Sequence, residues 1–286
     1  MSLPKHQKAV VVEKYGAGLT LKELSVPEVA PGQVLVKVEA SVIGTEMKAR
    51  AERPKNPLFC IPEPFVTGTS AVGRVVESDT FEKGQLVYLD PTVWSRDSPG
   101  HYIVKSIADG PTPESKALSS QEYKRNGYMS EYTLVDIESC YPIKEEAVGF
   151  DTDIIAGLSF PLVAYGGLRA IDLKPGETVA IGPATGKFSS AAVAVAASMG
   201  ANVLALGRNK AALEAVASKF TNAHPVVLTG DKDVDAATLQ KHGPIDVFMD
   251  FSPGKLPGPI YLDAAIGAIK FGGRIVLSGQ RLYQNG

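Results

Sequence analysis

The chain has 286 residues, 44% of them hydrophobic and 21% charged, with a formal net charge of −2. This composition suits a globular chain of one large or two ordinary domains with a substantial core. It offers no basic surplus to neutralise a phosphate backbone, which excludes nucleic acid as a main partner. Two cysteines, Cys60 and Cys140, stand far apart without CxxC spacing, so neither a disulfide framework nor a thiolate metal site is expected. The N-terminal "MSLPKHQK" has no apolar segment of the kind a secretory leader needs. No run nears the roughly twenty apolar residues of a membrane span, so a cytoplasmic location without a membrane partner is expected.

The first half is written in short β-type runs bounded by Pro and Gly. Residues 8–15, 33–44, 71–78, 85–90 and 128–136 are predicted strands, spaced as in a small barrel or sandwich. Residues 91–127 break the pattern. They are polar, Pro- and Gly-containing and too long for an ordinary connection, which predicts a functional loop or lid. The second half alternates strand and helix. Strands are predicted at 178–182, 202–207, 225–230, 245–250 and 274–279, with helices at 188–199, 210–220 and 261–271. That grammar means βαβ units and a parallel sheet. "AYGGLRAIDLKPGE" (164–177) joins the halves.

The segment "VAIGPATGKFSSAAVAVAASMG" reads as strand, glycine turn and small-residue helix. In a dinucleotide site one glycine permits the turn, a second lets the backbone approach the pyrophosphate, and a third lets helix pack on sheet. Gly182 and Gly186 supply the first two duties, and Ser189 stands at the third. The free amides and partial positive charge of the helix start favour an anion there; a tight turn that binds nothing is the other reading. About twenty residues further on, an NAD site needs an acid for the ribose hydroxyls. This chain has Gly207, Arg208, Asn209 and Lys210 instead. Two cations and no acid favour the 2′-phosphate of NADPH, unless they are only a solvated charge pair at a helix start.

The order of these features, with "AYGGL" and "GETVAIGPATG" leading into "ANVLALGRN", resembles the medium-chain dehydrogenase/reductase superfamily over nearly the whole chain. The resemblance implies an α/β fold with a GroES-like β-rich domain over residues 1–163. A doubly wound parallel Rossmann sheet follows over 164–286, and it stops before a sixth strand and the return to the first domain. "FPLVAYGGLRAIDLKPGETVAIGPATG" and "PTVWSRDSP" look most like a fungal alcohol dehydrogenase-like branch, some of whose broader relatives work in secondary metabolism. Zinc-using members carry a Cys in the segment matching "SVIGTEMKA" and a His-Glu pair after the glycine matching Gly68. Here Ile43, Thr69 and Ser70 hold those places, so no metal is expected.

In the zinc-free branch the hydride goes to the β-carbon of an activated alkene, and the enzyme needs oxyanion donors and a proton source. "VIGTEMK" resembles the V-N-P-x-D-x-K segment of enoyl reductases, with Ile43 and Gly44 in place of Asn and Pro. That gives Glu46 and Lys48 the acid and lysine positions, and makes Tyr165, at the crossing between domains, a candidate donor. Lys187, Ser278 and Gly279 complete the implied cofactor set. Trp94, His101 and Tyr102 suggest a bulky, apolar small-molecule substrate. Relatives dimerise through a sheet edge, so a homodimer with residues 274–283 at its contact is expected. Two functional readings stand: an NADPH-dependent, zinc-independent reductase of an enone or related carbonyl compound, and a non-redox cyclase, isomerase or binding protein on the same scaffold.

Overall fold

The computed structural model describes residues 3–55, 60–144, 149–252 and 260–277. The chain divides into two compact units, Met1–Ser159 and Phe160–Gly286.

In the first unit the strands are β1 (His6–Val12), β2 (Thr20–Ser25), β3 (Gln33–Ser41), β4 (Phe65–Val66), β5 (Ala71–Ser78), β6 (Leu86–Leu89), β7 (Thr92–Trp94), β8 (Tyr102–Val104), β9 (Tyr132–Asp136) and β10 (Cys140–Pro142). Four helices accompany them: α1 (Thr45–Ala51), α2 (Pro113–Ser120), α3 (Glu122–Arg125) and α4 (Thr152–Ala156). The main sheet is antiparallel in the order β10-β6-β5-β3-β9, and β2-β1-β4 form a second sheet. Period-two alternation explains the main sheet. Val34 and Val36, Ala71 and Val75, and Val87 and Leu89 turn inward with Val135 to make one core. After β4 the chain passes through Gly68 at φ +108°, where a Cβ would lie 2.7 Å from the Met129 amide nitrogen. Only glycine allows that approach.

Residues 91–127 are not the irregular loop their composition suggests. They form the β7–β8 hairpin and two short helices. Val93, Ile103 and Leu118 give this lobe its own small core. Thr112 caps α2 by accepting the Ser115 amide, with Pro113 at the first helical position. Lys105 is wholly buried. Its Nζ donates to the carbonyls of Tyr123 (2.5 Å) and Asn126 (3.1 Å) and sits 5.3 Å above the Tyr128 ring. The polar composition was misleading because the lobe is held by such side-chain-to-backbone bonds rather than by a large apolar face.

In the second unit the strands are β11 (Thr178–Gly182), β12 (Asn202–Gly207), β13 (Ala223–Val227), β14 (Ile245–Asp250) and β15 (Ile269–Leu277). Its helices are α5 (Ser159–Ala170), α6 (Lys187–Ser198), α7 (Lys210–Ala217), α8 (Lys232–Gln240) and α9 (Ile260–Ile266). All ladders are parallel, in the order β13-β12-β11-β14-β15. This 3-2-1-4-5 order is that of a doubly wound dinucleotide-binding sheet. Val179, Ile181, Val203, Ala205, Val247 and Met249 face α5, α6 and α7 on one side. Ala180, Leu204, Leu206, Val226 and Phe248 face α8 and α9 on the other. The predicted helix over 261–271 is overturned at its end, because residues from Ile269 onward belong to β15. The helix ends at Ile266 and Gly267 follows it, and β15 joins β14 through a register shift.

Candidate active site

The carboxyl ends of the parallel strands gather the polar groups that a ligand would meet. β11 ends in Gly182, whose Cβ position lies 2.8 Å from Tyr261 Cδ1 and 3.3 Å from Leu206 Cβ. The first glycine is therefore demanded by a ring packed over it from α9. Ala184 then donates to the Leu206 carbonyl at 2.7 Å, which folds the turn back onto β12. Gly186 caps α6.

Ser189 is buried, and its Oγ accepts the Gly186 amide at 3.0 Å. Serine in the third glycine's place thus does more than fit the packing. It occupies the amide that the second glycine would present to a phosphate. The helix start is partly capped from within, contrary to the expectation of free amides throughout. Beside it, Lys187 Nζ lies 5.2 Å above the Phe160 ring and 5.3 Å above Phe188, and these two rings meet edge-on at 5.0 Å. The cation is braced at the start of the helix.

At the end of β12, Arg208, Asn209 and Lys210 are exposed. Asn209 Oδ1 accepts the Ala212 amide at 3.1 Å and caps α7. Lys210 approaches Glu214 at 3.8 Å along the same helix. Both side chains thus have partners on α7. Arg208 remains, and the alternation of β12 sends it to the face of Leu204 and Leu206, where Tyr261 lies. At the end of β14, Asp250 is buried and accepts the Ser252 amide at 2.7 Å. The Ser252 hydroxyl is buried without a hydrogen-bond partner among the described residues. An orphaned hydroxyl at this rim, a cationic β12 end and a braced lysine fit a phosphorylated dinucleotide. The occupied Gly186 amide is the one feature that fits it less well. Ser278 and Gly279 lie outside the described residues.

The candidates in the first unit are more dispersed. Ile43 is 75% exposed, Thr69 half-buried and Ser70 fully buried. Ser70 Oγ donates to the Ala156 carbonyl at 2.8 Å and lies 3.1 Å from Ser159 Oγ. Among the described residues no group of three or more His, Cys, Asp or Glu is placed to hold a metal ion. Burial pushes the Cys140 thiol up to about 12 and raises Cys60 too, so both stay protonated. The Glu46 carboxylate folds back over Gly44 at the start of α1. Burial pulls the Arg50 guanidinium down and the charge of Glu46 opposes that pull. Lys48 is exposed and pairs with Glu52 one turn on, at 3.6 Å.

Trp94 and Tyr102 face each other across the β7–β8 hairpin, with ring centroids 5.0 Å apart. His101 Nδ1 lies 2.9 Å from the Thr112 hydroxyl, and 3.8 Å from Glu114. The structure thus brings all three aromatic candidates onto one hairpin. In the second unit, Tyr165 is 46% exposed on α5. Sequence reasoning passed over Tyr261, Phe160 and Ser252. Their roles rest on contacts across 79 positions of chain or through space, and no local pattern announces them.

The described residues form an antiparallel β-rich unit followed by a doubly wound parallel sheet, the GroES-like and Rossmann-like architecture of alcohol dehydrogenase-fold structures. Residues 30–145 match the family described as the alcohol dehydrogenase GroES-like domain. An NAD-dependent alcohol dehydrogenase of Sulfolobus acidocaldarius is 32% identical over 66% of this chain. The chain spans 55% of that relative's length. An acryloyl-coenzyme A reductase of Metallosphaera sedula is 25% identical over 95% of this chain and 76% of its own. A crystal structure of an alcohol dehydrogenase from Thermotoga maritima superposes with a TM-score of 0.76, at 21% identity over 98% of this chain and 79% of its own. These matches support the medium-chain dehydrogenase/reductase superfamily for the chain.

Proposed function

We propose that the chain is a zinc-independent, NADPH-dependent reductase of an enone or related carbonyl compound. The observation that carries this reading is the end of β12, where Arg208 stands on the rim and no carboxylate follows the strand. A guanidinium attracts a 2′-phosphate, and a carboxylate in its place would repel one. Ile43, Thr69 and Ser70 favour chemistry without zinc. The acryloyl-coenzyme A reductase relative supports reduction of an alkene conjugated to a carbonyl group.

The bound nicotinamide supplies hydride. The chain's own residues then have separate tasks. Lys187 balances diphosphate charge and Arg208 reads the 2′-phosphate. Trp94 and Tyr102 offer aromatic faces to an apolar substrate, with His101 beside them. Tyr165 is the candidate donor on the second unit and Lys48 the candidate on the first, where Glu46 folds over the start of α1. Cytosolic secondary metabolism is the setting that this reading gives.

Titration of the purified protein with NADPH and NADH tests it. Arg208→Ala is expected to weaken NADPH by about 1.5–3 kcal/mol, the range for a charge-assisted hydrogen bond, and to leave NADH unchanged. Equal losses for both cofactors, or stoichiometric zinc by elemental analysis, overturn the corresponding part. The Ser189–Gly186 bond favours a second reading, a non-redox binding protein or isomerase on this scaffold. That reading expects no saturable binding of either cofactor.

A further inference from the structure

Tyr261 has no role in the reading given above, yet it stands at the centre of the rim. Its side chain is 5% exposed, although it lies on a short helix that follows β14. The ring fills the space that a Cβ on Gly182 would need and shares that space with Leu206. Leu204 and Leu206 belong to the same apolar cluster as Tyr261. Arg208 is the next residue of that alternation, one position beyond the end of β12. The chain thus brings the phenol of α9 and the guanidinium of β12 to one face of the sheet, above the glycine that ends β11.

We propose that Tyr261 is a positioning residue for Arg208: its hydroxyl accepts from the guanidinium and holds it in the orientation that receives a 2′-phosphate. The proposal rests on the NADPH reading. A free arginine on a loop samples many rotamers, and fixing it beforehand lowers the entropy lost on binding. The ring is the fixed element, because Gly182 and Leu206 wall it in. Burial raises the Tyr261 hydroxyl, and the Arg208 charge and hydrogen bond pull it back. The charges of Asp235 and Asp250 push it up. Both carboxylates are buried and already engaged. Asp235 accepts from the amides of Thr229 and Gly230 and from the Thr229 hydroxyl, and Asp250 accepts from the Ser252 amide.

The test uses 2′,5′-ADP and 5′-AMP as probes, titrated calorimetrically into the wild type, Tyr261→Phe, Arg208→Ala and the double variant. Tyr261→Phe keeps the ring and removes the hydroxyl, and an unchanged unfolding temperature verifies its packing. The hydroxyl's loss is expected to weaken 2′,5′-ADP by about 3- to 10-fold, the worth of one net hydrogen bond, with 5′-AMP unmoved. The double variant is expected to bind 2′,5′-ADP no more weakly than Arg208→Ala alone, since the two residues act as a unit. A merely structural tyrosine would weaken both probes together. If the wild type prefers 2′,5′-ADP and Arg208→Ala removes that preference while Tyr261→Phe retains it, the positioning role is overturned and the NADPH reading survives. If the wild type binds neither probe, the NADPH reading itself falls, and the positioning role with it.

Discussion

Lys105 shows how a single residue can set a measurable property of the molecule. Its ammonium is wholly buried, and burial pushes its pKa from 10.5, the ordinary lysine value, down to about 7. Asp136 opposes that shift and Lys124 adds to it. The carbonyls of Tyr123 and Asn126 and the ring of Tyr128 surround the nitrogen. The folded state thus releases a proton near pH 7 that the unfolded state keeps until about pH 10.5. Between those values the unfolded chain binds more protons, so stability rises with pH. Urea unfolding of the wild type against Lys105→Met is expected to give a difference that moves in the wild type's favour by up to about 1.4 kcal/mol per pH unit from pH 7 to 9. A difference that stays constant over that range would mean that Lys105 remains charged in the fold.

At the scale of elements, the start of α6 sets a cap against a binding site. Ser189 Oγ satisfies the Gly186 amide, and replacing it with glycine releases that amide. Ser189→Gly is expected to cost about 1 kcal/mol, from the lost cap and a helical glycine, and to tighten NADPH binding. A lower unfolding temperature with unchanged affinity would show that the amide does not reach the diphosphate. The same level explains what could be read in advance. β5, β11, β12 and β14 were predicted at their observed bounds, because each is a strand with an apolar face closed by Gly, Ser or Asp. β2 escaped because it has no buried residue and is held by its ladder to β1. α8 escaped because its buried positions are Asp235 and Leu239 rather than an apolar stripe. Of the site, the Gly182–Gly186 turn and Arg208 were legible as local patterns. Tyr261 above Gly182 was not, since its place depends on a partner 79 residues away.

For the whole molecule, β15 raises the question of assembly. It closes the sheet order among the described residues. Phe271 is fully exposed there, and Ile275 and Leu277 are exposed by more than a third. An apolar strand at a sheet edge favours pairing. Part of the expected contact, residues 278–283, lies outside the described residues. We expect a two-fold dimer along β15, seen by sedimentation at about 20 micromolar, a concentration suited to a weak dimer. Phe271→Asp is expected to give a folded monomer, whereas a monomeric wild type would remove this edge as the contact. The two units also divide the molecule's spectroscopic signals. Trp94 is the chain's one tryptophan, and it sits on the β7–β8 hairpin of the first unit. The longest helices, α5 and α6, carry most of their length in the second. Indole emission therefore reports on the hairpin of the first unit, and the amide dichroism band is weighted toward the second. Denaturation curves recorded by the two optical probes report different halves of one polypeptide, and separated midpoints would reveal a partly folded species that either probe alone would miss.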